Sequence, residues 1–324
     1  MKKNRVIKAL LFVGLAVVCI TGCGGTADDA RVNEEVNTFD KVDDNTVVTE
    51  NAATDGDESI ITDDSSEEEN PVEATDEAAG EEISYEGLSL SIFGDSISTY
   101  EDYIPYGLAV YYPIHGDLTD VSQTWWMKLL DDTGMELCSN ASSSGSTCVG
   151  DSLSVDEPKY GCSDYRISLL TGKQGKMPDV IIVYMGTNDL MMMAPMGEND
   201  GTKLVEEGVI ENFSDAYTMI LDKLESNYPA AQIYCCTLAQ VGDWGSDTPF
   251  VALTNGFGFT SEDYSKQIEI IAANKGIPVI DLYHCGIEID NLQQTSTDGV
   301  HPTPTGMEYI EQAVLKGMGI TPDK

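Results

Sequence analysis

The chain has 324 residues and a formal net charge of −39, with 56 acidic residues against 17 Lys or Arg. A field of this sign disfavours nucleic acid and anionic lipid as partners, and we expect neither. The full length would admit two or three average domains, but this estimate is meaningful only once segments that cannot fold are set aside.

The first segment is typical of an export signal. Residues 1–8, MKKNRVIK, carry four cations, and the apolar run ALLFVGLAVVCI follows. That run is short for a membrane span but long enough for a signal-peptide core. It ends in ITGCGG, which resembles the lipobox of bacterial lipoproteins, with Cys23 as the residue to be lipidated. We expect a signal peptide over 1–22 and a lipid anchor on the outer face of the bacterial membrane; an ordinary secretory signal is the alternative.

The next segment differs from the rest in composition. Residues 24–82 hold 21 acidic and two basic residues, with little apolar periodicity. Such a stretch cannot bury enough apolar surface to fold. We therefore predict a tether over 23–82, which begins with the lipidated cysteine, and a folded domain over 83–324. The predicted domain is acidic too, with 11 Lys or Arg and 35 Asp or Glu.

From residue 83 onward, short apolar runs alternate with helical patterns, which is typical of βαβ units and a parallel sheet. Five strands are predicted: LSLSIF (88–93), MELCSN (135–140), DVIIVYM (179–185), QIYCCTL (232–238) and PVIDLY (278–283). Apolar residues spaced by three and four predict helices within 121–134, 209–228, 260–276 and 303–317. One domain of this length is within the usual range.

Three polar stretches follow ends of these strands: FGDSIS after the first, MGTND after the third and TDGVHP after the fifth. Because the carboxyl ends of parallel strands meet at one edge of a sheet, we expect the three stretches to converge. They supply a hydroxyl, an amide, and an Asp three residues before a His. An ester-cleaving site needs a nucleophile, a base, an orienting carboxylate and oxyanion donors. Taken singly, each stretch also has an ordinary explanation as a turn, a helix cap or an exposed loop.

In block order these stretches resemble the SGNH hydrolases, also called the GDSL esterase and lipase family. The resemblance rests on GDSI (94–97), GTND (186–189) and DGVH (298–301), with Ile where the family name has Leu. The family's second block is a lone glycine, for which Gly145 in NASSSGS is the best match. The resemblance spans about residues 88–316 and implies a flavodoxin-like, three-layer α/β/α sandwich around a five-stranded parallel sheet.

The resemblance also implies a role for each matched position. Ser96 would be the nucleophile, His301 the general base and Asp298 the carboxylate that orients it. The backbone N–H groups of Ser96 and Gly145 and the side-chain amide of Asn188 would form the oxyanion hole. A neutral amide suits that position because it stabilises developing negative charge without perturbing the base.

We therefore expect a cell-surface serine esterase that removes a small acyl group, with acetyl as the candidate, from a carbohydrate. A lipase or thioesterase for longer acyl chains is one alternative, and a non-catalytic wall-binding module is another. An α/β-hydrolase is disfavoured because Ser98 stands where G-x-S-x-G requires its second glycine. Four long loops are expected to line the site: 99–120, 146–177, 190–207 and 239–260.

Aromatic and methionine side chains in these loops have two explanations. The Tyr-rich loop 99–120 and the aromatics of 239–260 suit a sugar ring, but they equally suit packing of the loops on the domain. Four methionines after GTND either form an adaptable wall beside the acyl group or pack in the core: Met191, Met192, Met193 and Met196.

No cofactor or metal is expected, because no CxxC pair or His/Cys cluster with zinc spacing occurs and GENDGTKLVEEG fails the EF-hand spacing. The pairing of six cysteines stays open: Cys138, Cys148, Cys162, Cys235, Cys236 and Cys285. Export permits disulfides, but Cys235 and Cys236 lie in an apolar run that also suits buried thiols. His115 and His284 lack a catalytic context.

Overall fold

The computed structural model describes residues 84–243 and 249–320. The chain divides into two units, Met1–Thr75 and Asp76–Lys324, and every described residue belongs to the second. The predicted signal peptide, Cys23 and nearly all of the tether fall in the first unit, and the whole of 1–83 lies outside the described residues.

The described strands are β1 (Ser89–Gly94), β2 (Glu136–Asn140), β3 (Gly150–Asp151), β4 (Val180–Tyr184), β5 (Val209–Ile210), β6 (Gln232–Cys236) and β7 (Val279–Ile280). Five of them form one parallel sheet in the order β2-β1-β4-β6-β7, and β3 pairs with β5 antiparallel. The large sheet confirms the predicted five-stranded parallel sheet, in the strand order of flavodoxin-like folds.

The predicted strand over 278–283 is much shorter than expected. Only Val279 and Ile280 pair, opposite Cys235 and Cys236 of β6. Beyond them, the Thr237 hydroxyl oxygen accepts the N–H groups of Leu282 at 2.7 Å and Tyr283 at 2.9 Å. These bonds turn the chain away from the sheet, so the apolar pattern of PVIDLY continues past the end of the strand.

The described helices are α1 (Trp125–Thr133), α2 (Asp164–Ser168), α3 (Thr187–Met191), α4 (Phe213–Asn227), α5 (Ser261–Lys275), α6 (Leu292–Thr295) and α7 (Pro304–Gly317). Single 3₁₀ turns occur at Ser96–Ser98, Val121–Gln123, Lys173–Gly175 and Ile289–Asn291. The four long helices confirm the predicted ones, whereas α2, α3 and α6 are short helices that apolar periodicity could not identify.

Polar caps set the ends of the long helices. Thr124 Oγ1 accepts the N–H of Met127 at the start of α1, and Gly134 in the left-handed conformation ends that helix. The helix predicted within 209–228 begins only at Phe213, after the Asn212 cap, because Val209–Ile210 pairs with β3.

The helices pack in two groups on the sheet, as a three-layer α/β/α sandwich requires. Helix α1 packs on α7, whereas α4 packs on α5 and α2. Every residue of β1 and β4 is buried, which explains why β4 is a continuous apolar run. The two serines of β1 are buried as well, and their hydroxyls donate to the Asp179 carboxylate and to the Leu170 carbonyl. No helix in the described ranges is long and apolar enough to cross a membrane.

The order of the strands makes a crevice at one edge of the sheet. Strand β1 lies between β2 and β4, so the chain leaves β1 first to one side and later returns on the other. Ligands of open α/β sheets bind at the carboxyl ends of strands at such a switch point. The segments after β1, β2 and β4 therefore surround the edge of the sheet where a ligand is expected to bind.

The six cysteines of the domain are all free thiols. Cys235 and Cys236 are fully buried in β6, so they fill the core as small apolar residues. Within the described part of the chain, no group of three or more His, Cys, Asp or Glu residues is arranged to hold a metal ion.

Candidate active site

The turn after β1 presents Ser96 at the carboxyl edge of the sheet. Asp95 caps the 3₁₀ turn, and its Oδ1 accepts the N–H of Ile97 at 3.0 Å. A side chain at position 94 would clash, since a Cβ there would lie 2.8 Å from the Ser142 hydroxyl oxygen. The Gly-Asp-Ser order is therefore required locally: glycine for close packing, aspartate for the cap, and serine in the turn.

The buried indole rings of Trp125 and Trp126 hold the 3₁₀ turn in place. Trp126 Nε1 donates to the Ser98 carbonyl at 3.0 Å, and Trp125 Nε1 donates to the Ser98 hydroxyl oxygen at 3.1 Å. The Asn140 amide donates to the same carbonyl at 2.8 Å. Because fully buried side chains from α1 and β2 converge on Ser98, the position of Ser96 is well defined.

His301 and Asp298 form one tightly bonded unit in the loop before α7. The Asp298 Oδ1 atom accepts the backbone N–H groups of Val300 at 3.0 Å and His301 at 2.8 Å. The other oxygen, Oδ2, lies 2.7 Å from His301 Nδ1. The three-residue spacing thus allows one carboxylate to bind both the backbone and the ring of the same histidine.

The structure brings Ser96 to this unit. Ser96 Oγ lies 2.9 Å from His301 Nε2, although the two residues are 205 positions apart in the sequence. Ser96 and His301 are each only 5% exposed. A continuous path of hydrogen bonds therefore runs from the serine hydroxyl through the imidazole to the Asp298 carboxylate.

The environment of Asp298 keeps this carboxyl ionised. Partial burial acts to raise its pKa, but the ring hydrogen bond from His301, the His301 charge and the two backbone donors outweigh burial and lower the pKa to about 2. A carboxylate with this pKa stays ionised throughout the neutral range and can accept the Nδ1 proton, in which case Nε2 of a neutral imidazole is the acceptor for the Ser96 hydroxyl.

Tyr111 completes the surroundings of the histidine and was not identified from the sequence. Its ring stacks on the His301 ring, with centroids 3.6 Å apart and an angle of 11° between the planes. Its hydroxyl donates to Asp298 Oδ2 at 3.1 Å. Loop 99–120 is rich in Tyr, but no feature of the sequence distinguishes Tyr111 from the other tyrosines of the loop.

Gly145 lies in a turn that is held beside the end of β1. Ser143 donates its N–H to the Gly94 carbonyl at 3.2 Å, and Ser146 donates its hydroxyl to the same oxygen at 3.4 Å. Gly145 has φ of 75°, a conformation that favours glycine. Within the described part of the chain, its N–H donates to no protein acceptor.

Asn188 lies in the first turn of α3, directly after β4, and is mostly buried. Because β4 pairs with β1 up to Gly94 and Tyr184, the segments carrying Asn188 and Ser96 leave adjacent strands. Among the described residues, neither the Asn188 amide nor the Ser96 N–H has a protein acceptor. Both donors thus remain available at the same edge of the sheet.

The next residue of the same block, Asp189, connects two parts of the site. Its carboxylate is fully buried and accepts the N–H of Cys148 at 2.8 Å and of Val149 at 3.1 Å. Burial raises the Asp189 pKa to about 7, against the lowering effect of these donors. Sequence reasoning treated this aspartate only as part of a motif, whereas it fixes the loop that follows Gly145.

Arg166 of α2 is a second buried polar group that the sequence did not reveal. Its Nη2 donates to the carbonyls of Gly94 at 3.1 Å and Ala141 at 2.8 Å, and its guanidinium lies 5.0 Å from the Phe93 ring centroid. Burial lowers the Arg166 pKa to about 10. One cation thus holds together the ends of β1 and β2, from which the Ser96 turn and the Gly145 loop depart.

The remaining candidates take other positions. His115 contacts Tyr111 from the side, with ring centroids 5.4 Å apart. His284 is exposed, and its Nδ1 lies 2.8 Å from Asp281 Oδ2. Met196 is buried, but Met192 and Met193 are 58% and 55% exposed, so core packing does not account for these two.

The α/β fold and the contact of a serine with a His–Asp pair are typical of hydrolytic enzymes. Comparison with known protein families and solved structures specifies the family. Residues 88–247 match the family model for GDSL-like lipase/acylhydrolase. This match includes GDSI, Gly145 and GTND and ends before DGVH.

Solved structures agree with the family match. A candidate GDSL-like lipase from Bacteroides ovatus is 26% identical, covers 72% of this chain and 98% of its own, and superposes with a TM-score of 0.51. A candidate GDSL-like lipase from Bacteroides uniformis is 25% identical, covers 72% of this chain and 96% of its own, and has a TM-score of 0.52. A Lactobacillus plantarum structure, 23% identical with 74% and 98% coverage and a TM-score of 0.54, shares the fold. No curated protein matched the chain.

The chain belongs to the GDSL-like lipase and acylhydrolase family, the SGNH hydrolases, and is a carboxylic ester hydrolase. The family assignment made from the GDSI, GTND and DGVH motifs is thereby confirmed.

Proposed function

We propose that the domain is a serine esterase in which Ser96 is the nucleophile, His301 the general base and Asp298 the residue that orients it. The observation that carries this proposal is the pair of hydrogen-bond distances, 2.9 Å from Ser96 Oγ to His301 Nε2 and 2.7 Å from His301 Nδ1 to Asp298 Oδ2. A nucleophile, a base and a group that orients the base, each in hydrogen-bond reach of the next, form the arrangement that acyl transfer needs.

In the proposed reaction, Ser96 Oγ attacks the ester carbonyl carbon while its proton passes to His301 Nε2. The carbonyl oxygen becomes an oxyanion, which accepts hydrogen bonds from the Ser96 and Gly145 N–H groups and the Asn188 amide. His301 then gives its proton to the leaving alcohol oxygen as the C–O bond breaks. Water then attacks the acyl carbon while His301 Nε2 takes its proton. His301 returns that proton to Ser96 Oγ as the bond between the acyl carbon and Oγ breaks, which releases the carboxylic acid and restores the serine.

The proposed substrate is an ester of a small acyl group, acetyl in the first instance, on a carbohydrate. Ser96 and His301 are almost wholly buried, so a short acyl group reaches the hydroxyl more easily than a long chain. Exposed aromatic side chains on the surrounding loops, including Tyr103 and Phe257, support a sugar as the alcohol, because aromatic rings pack on sugar faces.

One observation favours longer acyl chains as the second candidate. Met192 and Met193 follow Asn188 and are more than half exposed. The Met193 sulfur lies against Gly256, since a Cβ added to that glycine would be only 3.0 Å from it. Flexible thioether side chains adapt to acyl chains of different lengths. A p-nitrophenyl ester series from acetate to octanoate separates the two, since a small-acyl esterase should show kcat/KM falling steeply with chain length.

The proposal includes a location. Export and lipidation at Cys23 would place the enzyme on the outer face of the cell membrane, with the acidic stretch 24–82 as its tether. The support is sequence alone: the basic start, the apolar core and the lipobox-like ITGC. Cys23→Ala followed by membrane fractionation tests this part, and an unchanged membrane association would contradict it.

The decisive experiment on mechanism uses a control that the chain itself supplies. His284 is bonded to Asp281 three residues earlier, just as His301 is bonded to Asp298. His301→Ala should abolish turnover of p-nitrophenyl acetate, whereas His284→Ala should retain it. A fluorophosphonate probe should label Ser96 in the unmodified protein, and labelling of another serine would contradict the proposal.

A further inference from the structure

The imidazole of His301 is held on its face by one tyrosine and at its edge by another. The Tyr111 ring lies parallel to it at 3.6 Å between centroids, and the Tyr112 ring meets it at 6.5 Å and 82°. Tyr112 is itself fully buried and donates its hydroxyl to the Pro302 carbonyl at 2.9 Å. The His301 ring therefore cannot turn about its side-chain bonds unless Tyr111 moves.

The Tyr111 ring contacts His301, whereas the Tyr111 hydroxyl contacts the carboxylate of Asp298. It donates to Asp298 Oδ2 at 3.1 Å, the oxygen that also bonds to His301 Nδ1. The other oxygen already accepts two backbone N–H groups, so Tyr111 supplies the fourth hydrogen bond to Asp298. Burial, and next the charge of Asp298, raise the Tyr111 pKa, so the hydroxyl remains a donor.

The backbone around Tyr111 contacts the other half of the site. The Tyr111 N–H donates to Thr99 Oγ1 at 2.9 Å, which fixes the residue to the segment after the Ser96 turn. Two positions earlier, the Ala109 N–H donates to Ser143 Oγ at 3.1 Å, and the Ala109 carbonyl accepts the N–H of Ser144 at 2.8 Å. Residues 109–111 therefore contact the loop of Gly145 as well as the histidine.

We propose that Tyr111 is a positioning residue of the esterase: its ring and hydroxyl hold His301 and Asp298 in the arrangement that the nucleophile requires. The proposal rests on the Ser96–His301–Asp298 mechanism proposed above. Tyr111 reacts with no substrate atom. It acts by restricting the base to one orientation, in which Nε2 meets Ser96 Oγ and Nδ1 meets the carboxylate.

The test separates the ring from the hydroxyl in the full chain. Tyr111→Phe keeps the stacking and removes one hydrogen bond, whereas Tyr111→Leu removes both. We expect kcat on p-nitrophenyl acetate to fall about three- to tenfold in the first and about 10²-fold in the second, with KM nearly unchanged, because small displacements of a catalytic group cost that much. Tyr106→Phe and Tyr106→Leu are matched controls, since Tyr106 lies on the same loop and is fully exposed.

A pH profile distinguishes positioning from a purely structural role. Among the described residues, the ionisable groups that contact the His301 ring include Asp298, Tyr111 and Tyr112, and Asp95 interacts with it electrostatically. His115 and Asp117 interact with Tyr111. Without the Tyr111 hydroxyl, the Asp298 carboxylate accepts one hydrogen bond fewer, so its negative charge is less stabilised and favours the protonated imidazole more strongly. The acid limb of kcat/KM should therefore move to higher pH in Tyr111→Phe and stay in place in Tyr106→Phe.

The Tyr111 and Ser96 variants together test the positioning role and the proposed mechanism separately. If both Tyr111 variants match the Tyr106 variants in kcat and in pH profile, the positioning role is overturned. If Tyr111→Leu does not fold, the isosteric Tyr111→Phe decides alone. Ser96→Ala is measured alongside: if it retains turnover, the proposed mechanism and the Tyr111 role both fall, whereas an inactive Ser96→Ala with unaffected Tyr111 variants removes only the Tyr111 role.

Discussion

The carboxylate of Asp189 accepts the backbone N–H of Cys148 at 2.8 Å, and this buried contact joins the segment after β4 to the loop after β2. Asp189 follows Asn188, and the loop holds Gly145, so one side chain sets the relative position of two proposed oxyanion donors. A contact of this kind has consequences both for activity and for the pH dependence of stability.

Asp189→Ala should lower kcat by about 10²-fold or more, because loss of both hydrogen bonds releases the loop and small displacements of oxyanion donors are costly. The buried N–H groups of Cys148 and Val149 would also lose their acceptor, so the midpoint of urea unfolding should fall. Steady-state kinetics per folded molecule separate the two effects. Normal specific activity of the folded fraction would contradict the positioning of the loop by Asp189.

The raised pKa of Asp189, about 7 in the folded chain against an ordinary 3.8, predicts a definite sign for stability. The contribution of the neutral carboxyl is fully present below pH 3.8 and is lost as the pH rises towards 7, because the unfolded chain releases its proton first. The unfolding free energy should thus decrease from pH 4 to pH 7 more steeply in the unmodified protein than in Asp189→Asn.

Urea unfolding at several pH values measures this difference. Asp290→Asn, which changes an exposed carboxyl, serves as the control and should leave the slope unchanged. Asp298 acts with the opposite sign, since its pKa of about 2 means that its contribution is present above pH 3.8 and lost only as the pH falls towards 2. Parallel curves for Asp189→Asn and the unmodified protein would refute the assignment.

Asn188→Ala should lower kcat by about 10² to 10³, the effect of removing one side-chain donor to an oxyanion. KM should change little, because the donor acts mainly on charge that develops in the transition state. Thermal unfolding measured in parallel is the control. An activity loss fully explained by unfolding would make Asn188 a structural residue of α3 instead.

Ser96→Ala and His301→Ala should each remove nearly all turnover, and the double variant should be little worse than either. Residues that act as one catalytic unit are grossly non-additive. Asp298→Asn should also cost activity, since it changes the tautomer of the histidine. Multiplicative losses in the Ser96/His301 double variant would show that the two residues act independently.

A chain that begins at Ile83 should fold and keep the specific activity of the full-length protein on a soluble ester. The reason is compositional: residues 24–82 carry 21 acidic residues and few apolar ones, so they contribute little to any core. Circular dichroism and p-nitrophenyl acetate hydrolysis check the expectation. A large loss of activity with normal folding would show that the acidic stretch takes part in catalysis.

The sequence by itself determined the class of fold and the identity of the family. Alternation of buried strands with amphipathic helices predicted the parallel sheet, because burial on both faces leaves β4 apolar throughout and β1 apolar apart from two serines. Ser96, Asn188, Asp298 and His301 could be predicted as site residues because their chemistry and their place after strands are local features of the chain. Periodicity failed where side-chain hydrogen bonds set the limits, as at Thr237, which ends β7.

Only the tertiary structure revealed Tyr111, Asp189 and Arg166 as supports of the site. Each acts through contacts with residues distant in sequence: Tyr111 on Asp298, Asp189 on Cys148, and Arg166 on Gly94. Aspartate and arginine are mostly exposed and tyrosine is intermediate, so composition gives no sign that these three are buried or half-buried. Their function depends on which partner the fold brings within hydrogen-bonding distance, and a local pattern of residues does not contain that distance.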